Sequence, residues 1–306
     1  MNPMFSEILE IPEKAVELLA SPATPLPLRV KYLGMGSSYF APLAFKYMGF
    51  AIEPELASEY YHYLSGGEVQ PLAVILSQSG RSSEALWCSA LFEQYIAVTN
   101  YPGNPLAQAN NVKAVAEIAA GHEDYSSSKT YINTLLVLFR GLGVDPSEAV
   151  QLMVRQMYLY RAKGEAMAEQ VYALLEAGKV HGIYITGSGP NIATALQAAL
   201  ILSESTKLDF HGLPMAQYDH GPKETAQNSI VIQIMAKGSA YERTEKLSEV
   251  IRQAGAIVLT VEEAGVEEQF SVLHNIIPFN FMAYYLAEKL GVGQTFMVGG
   301  KVTEVK

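Results

Sequence analysis

The stretch that decides the fold is Leu72-Ala73-Val74-Ile75-Leu76-Ser77-Gln78-Ser79-Gly80-Arg81-Ser82-Ser83. Its five leading apolar residues predict a buried parallel strand, because a strand covered on both faces reads as a continuous apolar run. The polar residues that follow predict a turn, and residues 84–91 have the spacing of a helix. Such a unit places backbone N–H groups at the carboxyl edge of a sheet, where anions bind.

The turn suits a phosphate monoester. Ser77, Ser79, Ser82 and Ser83 supply hydroxyls and Gln78 supplies an amide, without adding charge. A nucleoside-triphosphate loop is not predicted, since the pattern Gly-x-x-x-x-Gly-Lys-Ser/Thr is missing here. The alternative is an ordinary strand-to-helix loop whose serines only cap the helix.

Composition limits the class of protein. The length of 306 residues predicts about two domains, and the net charge of −10 disfavours nucleic-acid binding, which needs clustered Lys and Arg. No apolar run approaches the ~18 residues of a membrane span, and the N-terminus lacks a signal-peptide pattern. The single cysteine, Cys88, excludes an internal disulfide and a multi-cysteine metal site. We therefore expect a reducing, cytoplasmic setting and a structural role for Cys88.

The strand–turn–helix pattern occurs in both halves of the chain. In the first half the pattern also occurs earlier, with the turn Gly34-Met35-Gly36-Ser37-Ser38. In the second half it occurs with the turn Thr186-Gly187-Ser188-Gly189-Pro190. The order predicts an α/β fold of two similar doubly wound, parallel-sheet, flavodoxin-like halves joined by a long helix, with a last strand within residues 270–278. A dinucleotide site at residues 187–189 has weak support, because Ile192 replaces the third glycine.

Four segments are predicted along the chain. They are an N-terminal helix (1–24), a first domain that binds the phosphosugar (25–146), a connecting helix (147–177), and a second domain with the catalytic residues and C-terminal tail (178–306).

Three residues of the second half are candidates for chemistry. Glu204 lies among apolar helix residues, where a carboxylate can serve as a proton-shuttling base, although a solvated helix residue is the simpler interpretation. His220 lies in a rigid turn, where Asp219 could orient its ring or the two could form a surface turn. Lys301 follows two glycines and could reach a phosphosugar, although terminal lysines are usually solvated.

Together these motifs resemble sugar isomerase (SIS) domains. The chain is similar in particular to the tandem-SIS isomerase half of glucosamine-6-phosphate synthase and its stand-alone relatives, over nearly its whole length. The motifs that carry the resemblance are Gly34-Met35-Gly36-Ser37-Ser38, Ser77-Gln78-Ser79-Gly80-Arg81-Ser82, Ser126-Ser127-Ser128-Lys129 and Tyr218-Asp219-His220-Gly221-Pro222.

The resemblance implies a role for each matching residue. Glu204 would move the proton between C1 and C2 of the sugar. His220 would open the ring, reaching the site of a neighbouring subunit in a homodimer, and Lys301 would contact the open-chain carbonyl. The residues implied to hold the sugar phosphate are Ser38, Ser77, Gln78, Ser79, Ser82 and Ser127.

The chain also departs from the synthase pattern. Ile201 stands where the family has a lysine, Arg81 replaces an acidic residue, and residues 291–295 replace an Asp-x-Asp-x-Pro-Arg stretch. No glutamine-hydrolysing domain is expected before the SIS pair. These departures leave the substrate more open than the reaction class.

The sequence therefore predicts a phosphosugar isomerase or an amino-sugar-phosphate deaminase that acts on a hexose or hexosamine 6-phosphate. Proton transfer through an enediol or enolamine needs a positioned base and charge stabilisation, so no metal or cofactor is expected. The alternatives are a fructosamine-6-phosphate deglycase and a non-catalytic phosphosugar-binding regulator. Neither nucleic acid nor membrane is expected as a partner.

Overall fold

A computed structural model describes residues 3–178 and 180–304 of the chain. They fall into two units. The first unit comprises Leu9–Val150 and the C-terminal segment from Met297, and the second comprises Gln151–Phe296 and the N-terminal residues up to Ile8. Helix α1 (Pro3–Leu9) begins the described chain.

The first unit contains a five-stranded parallel sheet with the order β2-β1-β3-β4-β5. The predicted strand of the deciding stretch is confirmed as β3. Its helices and strands are α2 (Ile11–Ala20), β1 (Lys31–Gly34), α3 (Ser37–Tyr47), β2 (Glu53–Leu56), α4 (Ala57–Glu59), β3 (Gln70–Leu76), α5 (Ser83–Ser89), β4 (Phe92–Thr99), α6 (Pro105–Gln108), β5 (Val112–Glu117) and α7 (Lys129–Gly141). A π-helical turn, Tyr60–Leu64, follows α4.

The long helix α8 (Ser147–Glu176) matches the predicted helix to within one residue, and the boundary between the two units falls inside it. The second unit has a four-stranded parallel sheet with the order β7-β6-β8-β9. Its elements are β6 (Gly182–Gly187), α9 (Asn191–Thr206), β7 (Phe210–Pro214), α10 (Met215–Asp219), a 3₁₀ turn (Pro222–Thr225), β8 (Ser229–Met235), α11 (Tyr241–Gln253), β9 (Ile257–Glu262), α12 (Ser271–Asn275) and α13 (Ile277–Lys289).

Each sheet is held by apolar side chains of its central strands. In the first unit Leu33 of β1 pairs in register with Ile75 of β3, and both are completely buried. In the second unit Ile185 of β6 pairs with Ile232 of β8, and both are again buried. Burial on both faces explains why these strands read as continuous apolar runs.

A glycine ends the first strand of each sheet. An ideal Cβ on Gly34 would lie 2.5 Å from the carbonyl oxygen of Ser38, and one on Gly187 would lie 2.1 Å from that of Asn191. Any larger residue would therefore push the following helix, α3 or α9, off the strand. The shared glycine is physical evidence that both units use the same strand–turn–helix connection.

The strand predicted within residues 270–278 is wrong. This segment forms α12 and the beginning of α13, which pack against α9. The N-terminal helix predicted over residues 1–24 is divided at Glu10 into α1 and α2, with Pro12 in the first turn of α2, and α2 ends at Ala20. Strands β2 and β7 were not predicted.

No helix within residues 3–178 and 180–304 is long and apolar enough to cross a bilayer.

Cys88 is buried as predicted, and its thiol donates to the carbonyl oxygen of Ala57 at 3.2 Å. Burial, followed by the nearby Glu84 carboxylate, raises the pKa of the thiol to about 12. We therefore expect the native protein to resist alkylation by iodoacetamide at pH 8, while the urea-unfolded chain reacts at once. Rapid modification of the native chain, measured by mass spectrometry, would contradict the buried position.

Candidate functional site

The first unit has a topological switch point between β1 and β3. The chain leaves β1 for β2 on one side of the sheet and then returns to form β3 on the other side. Ligands of open α/β sheets bind outside the carboxyl ends of the strands at such a point. The turns that begin at Gly34 and at Ser77 both lie there.

The turn after β3 is organised by its own hydroxyls. Ser77, which is 3% exposed, accepts the N–H of Gly80 at 3.1 Å and lies 3.4 Å from the Ser82 hydroxyl. Ser79 accepts the N–H of Arg81 at 3.2 Å. The structure thus brings three of the predicted phosphate-binding serines, Ser77, Ser79 and Ser82, into one turn. The carbonyl oxygen of Gln78 accepts from Thr99 at 3.2 Å, which fixes the backbone of this turn to β4.

Gly80 is required at the centre of this turn. Its φ of +63° lies in the left-handed region, and an ideal Cβ would stand 2.0 Å from side-chain atoms of Asn104. Asn104 is itself fixed, since it donates to Thr99 and accepts the N–H of Ala107 at 2.9 Å.

Ser38 and Ser127 lie at the starts of two further helices of the same unit. Ser38 is in the first turn of α3, and Ser127 directly precedes Ser128, the N-cap of α7. Helix α3 has no acidic residue in its first turn, so the positive end of its dipole would stabilise an anion at this edge of the sheet. The start of α7 differs, because the Glu123 carboxylate accepts the N–H groups of Ser128 and Thr130 there.

Sequence reasoning missed Glu123. Its side chain is completely buried, and one carboxylate oxygen accepts the N–H and the hydroxyl of Ser128, each at 2.9 Å. The other oxygen accepts the hydroxyl of Thr130. A single acidic residue in a loop has no periodicity or spacing signal, so its burial could not be predicted from the sequence.

Lys301 is bound to Glu123. Its ammonium donates to the Glu123 carbonyl oxygen at 2.6 Å and to the carboxylate at 3.3 Å. Two residues later the carbonyl oxygen of Thr303 accepts the N–H of Ser83 at 3.3 Å, and Glu304 pairs with Arg81 at 2.6 Å. The C-terminal tail therefore connects the Glu123 loop to the start of α5, and it places Lys301 beside the predicted phosphate-binding turns.

The second unit carries the other two predicted catalytic residues. Glu204 lies in the last turn of α9 and is partly buried. One helical turn earlier Ile201 is 1% exposed and belongs to the apolar packing of that helix, so a charged lysine in its place would be desolvated.

His220 ends α10 and is exposed. Asp219 does not orient its ring, which the sequence had suggested. One Asp219 oxygen binds Lys223 at 2.9 Å and the other binds Arg243 at 3.0 Å. These bonds, first to Lys223 and then to Arg243, lower the pKa of Asp219.

Among the described residues, no group of three His, Cys, Asp or Glu side chains is placed to hold a metal ion.

Comparison with known proteins shows which of them share the fold of this chain. No protein-family model matches the chain. Among solved structures, glucosamine-6-phosphate deaminase from Thermotoga maritima superimposes with a TM-score of 0.80 at 17% identity, covering 96% of both chains. The C-terminal domain of glucosamine-fructose-6-phosphate aminotransferase from Francisella tularensis gives 0.78 at 20% identity, over 95% of this chain and 97% of that one. This chain has the fold of the phosphosugar isomerases.

A further solved structure and two sequence relatives are also similar to this chain. Tagatose-6-phosphate ketose/aldose isomerase from Escherichia coli gives a TM-score of 0.69 at 15% identity, covering 95% of this chain and 94% of that one. In sequence, the chain is 25% identical to glutamine–fructose-6-phosphate aminotransferase (isomerizing) of Methanothermobacter thermautotrophicus over 294 residues, which is 86% of this chain and 49% of the relative. The Pyrobaculum aerophilum enzyme of the same name is 26% identical over 94% of this chain and 55% of its own. The chain thus spans about half the length of these relatives.

The serine turn generates one prediction. The Ser79→Ala, Ser82→Ala double variant should weaken binding of fructose 6-phosphate by roughly 1–3 kcal/mol, because charge-assisted hydrogen bonds to the phosphate are lost. Calorimetric titration measures the change. The control is a Ser58→Ala, Ser65→Ala variant, which removes two hydroxyls bonded elsewhere in the same unit. Equal affinity of both variants would place the phosphate at another site.

Glu123 generates a second prediction. Glu123→Gln keeps the shape of the side chain but removes the charge that binds the Lys301 ammonium. We expect hydrogen exchange of the Ser83 amide, which donates to the Thr303 carbonyl oxygen of the tail, to accelerate at least ~10-fold, because the tail loses a buried charged hydrogen bond. The control is Glu117→Gln, at the exposed end of β5. Unchanged protection of the Ser83 amide would show that Glu123 does not position the tail.

Proposed function

We propose that the chain interconverts an aldose and a ketose 6-phosphate of the hexose or hexosamine series. The observation that carries the proposal is the juxtaposition in the first unit of the Ser77–Ser82 turn with Lys301, which a buried carboxylate holds. Neutral hydroxyls suit the phosphate, and a positioned ammonium suits a sugar oxygen on which charge develops.

Glucosamine 6-phosphate and fructose 6-phosphate are the first substrates to test. Glucosamine 6-phosphate appears in the name of a deaminase that shares the fold. Fructose 6-phosphate appears in the name of an aminotransferase that is similar in sequence. The balanced reaction is glucosamine 6-phosphate plus water giving fructose 6-phosphate plus ammonia.

The proposed chemistry begins with ring opening. His220 takes the proton of the C1 hydroxyl and returns a proton to the ring oxygen, which gives the open-chain aldehyde. Glu204 then removes the proton from C2 while the C1 oxygen gains a proton from water, which gives an enolamine. Glu204 delivers a proton to C1 while the nitrogen loses one to water. The resulting ketimine is hydrolysed by water, and ammonia leaves.

Lys301 is assigned to the C1 oxygen. When the C2 proton leaves, negative charge accumulates on that oxygen, and a nearby ammonium lowers the energy of the transition state. Glu123 fixes the ammonium through its carbonyl and carboxylate oxygens. Because one Nζ has three donors, the third can be directed to the sugar.

We further propose that the working form is a homodimer in which His220 serves the partner's site. The ring is exposed, and within residues 3–178 and 180–304 it has no hydrogen-bond partner of its own. A general acid or base needs a partner that orients it, and a neighbouring subunit or its substrate would supply one.

Glu204 tests the reaction. Glu204→Gln keeps hydrogen bonding but removes the proton acceptor, so sugar-phosphate affinity should survive while turnover falls about 10²–10⁴-fold. Exchange of the C2 hydrogen in heavy water, followed by NMR, should disappear. The matched control is Glu249→Gln on α11, which should exchange at the wild-type rate. Native C2 exchange in Glu204→Gln would rule out the proposed base.

Complementation between two inactive variants tests whether His220 serves the partner's site in a homodimer. Glu204→Gln and His220→Asn should each be inactive on the cyclic sugar, yet a mixture after subunit exchange should recover about a quarter of wild-type activity. Half of the dimers are then mixed, and each has one site with both residues intact. The mass in solution, measured by light scattering, should be that of two chains. If His220 served its own chain, the mixture would stay inactive; a monomeric, fully active wild type would also exclude the proposal.

A further inference from the structure

A cavity of about 500 Å³ lies in the second unit beside β9, the edge strand of its sheet. Its walls come from α8, the carboxyl end of β9, α12 and the start of α13. The volume lies within the range of small-molecule sites. Neither Glu204 nor His220 lines this cavity, and His220 follows β7 at the opposite edge of the sheet.

A hydrogen-bonded chain of three side chains forms one wall of the cavity. The Tyr160 hydroxyl lies 2.8 Å from the Glu263 carboxylate and 2.7 Å from Nδ1 of His274. The other Glu263 oxygen accepts the N–H of Gly265 at 2.8 Å. Both oxygens of Glu263 are thus held in place, so its charge faces the cavity in a fixed orientation.

The number of available protons determines where each proton lies among Tyr160, Glu263 and His274. Burial lowers the pKa of His274 to about 4, so the ring is neutral near pH 7. Tyr160 has one proton, which goes to the Glu263 carboxylate. We therefore assign the His274 proton to Nδ1, which donates to the Tyr160 oxygen, and Nε2 is left as an acceptor.

Two buried acceptors in the same wall have no partner among the described residues. They are Nε2 of His274, which is 0% exposed, and Oδ1 of Asn275, which is 1% exposed. Buried polar atoms without a protein partner are usually hydrogen-bonded to water or to a ligand. These two acceptors therefore add polar groups to the wall that a bound molecule or a water would satisfy.

Three charged residues line the cavity, Lys163, Glu262 and Glu263, and Lys163 forms an ion pair with neither carboxylate. Lys163 of α8 is exposed and lines the cavity, and it has no ion-pair partner within the part of the chain that the structure describes. Glu263 bonds to Tyr160 and Gly265 rather than to Lys163. Leu159 and Pro278 supply apolar surface to the same cavity.

We propose that this cavity binds a small molecule with one primary ammonium and one anionic group, the ammonium at Glu263 and the anion at Lys163. A free α-amino acid and an amino-sugar phosphate both have this chemistry. The aliphatic part of either would lie against Leu159 and Pro278. The site is separate from the serine turn of the first unit and does not depend on the proposed isomerase reaction.

Calorimetric titration of the 306-residue chain with L-glutamine and, separately, with glucosamine 6-phosphate tests the proposal. N-acetyl-L-glutamine and fructose 6-phosphate are the matched ligands without an ammonium. Both titrations use the Ser79→Ala, Ser82→Ala background, in which binding of a sugar phosphate at the serine turn is expected to be weakened. We expect L-glutamine or glucosamine 6-phosphate to bind, and the ligands without an ammonium to bind at least ~10-fold more weakly.

Variants locate the bound molecule. Lys163→Met and Glu263→Gln should each raise the Kd at least ~10-fold, whereas Lys246→Met, an exposed lysine on α11, should leave it unchanged. Lys163 is exposed, so its replacement leaves the fold intact and decides the question even if Glu263→Gln is unstable. Binding of L-glutamine alone identifies an amino acid as the ligand, and binding of glucosamine 6-phosphate alone identifies an amino-sugar phosphate. The proposal is overturned if neither binds at millimolar concentration, or if Lys163→Met binds as tightly as its parent.

Discussion

The carboxylate of Glu123 determines how the candidate site is arranged. A buried carboxylate without partners would be strongly destabilising, and here it is surrounded by the N–H and hydroxyl of Ser128, the hydroxyl of Thr130 and the ammonium of Lys301. The first three donors order the loop that begins α7. The last one attaches the C-terminal tail to the same loop. One charge therefore organises a serine-rich helix start and the lysine proposed to contact the sugar.

The sequence predicts the parts of this fold that depend on local patterns. The apolar run of β3 is followed directly by turn residues, which favours a strand, and α8 has uninterrupted helical composition and satisfies its backbone hydrogen bonds within itself. Strand β2 has only four residues, Glu53–Leu56, and Pro54 among them argues against a strand although polar and apolar residues alternate. It exists because it pairs with β1, which is a tertiary effect.

The failures have the same physical origin. Residues 270–278 contain short apolar runs that suit a strand or a buried helix equally, and contact with α9 selects the helix. The three serines of the deciding turn could be found because they follow a strand in a compact motif. Glu123 could not, since its importance comes from Lys301, which is 178 residues away in the chain.

The two units are similar in connection but different in charge. Gly34 and Gly187 end equivalent strands, yet the turns at the switch point of the first unit carry serine hydroxyls. The second unit instead places the Glu268 carboxylate against its turns: an ideal Cβ on Gly238 would lie 2.1 Å from that carboxyl group. Burial raises the pKa of Glu268. An anion at the second switch point would meet this carboxylate, which favours the first unit as the phosphate site.

The proposed function requires the chain to move hydrogen between C1 and C2 of a sugar phosphate. The most direct measurement follows glucosamine 6-phosphate, labelled with ¹³C at C1 and C2, by NMR in heavy water with the wild-type protein. We expect formation of fructose 6-phosphate with deuterium at C1, together with free ammonia. A labelled sugar that keeps its C2 hydrogen and its amino group after prolonged incubation, while binding to the protein, would contradict it.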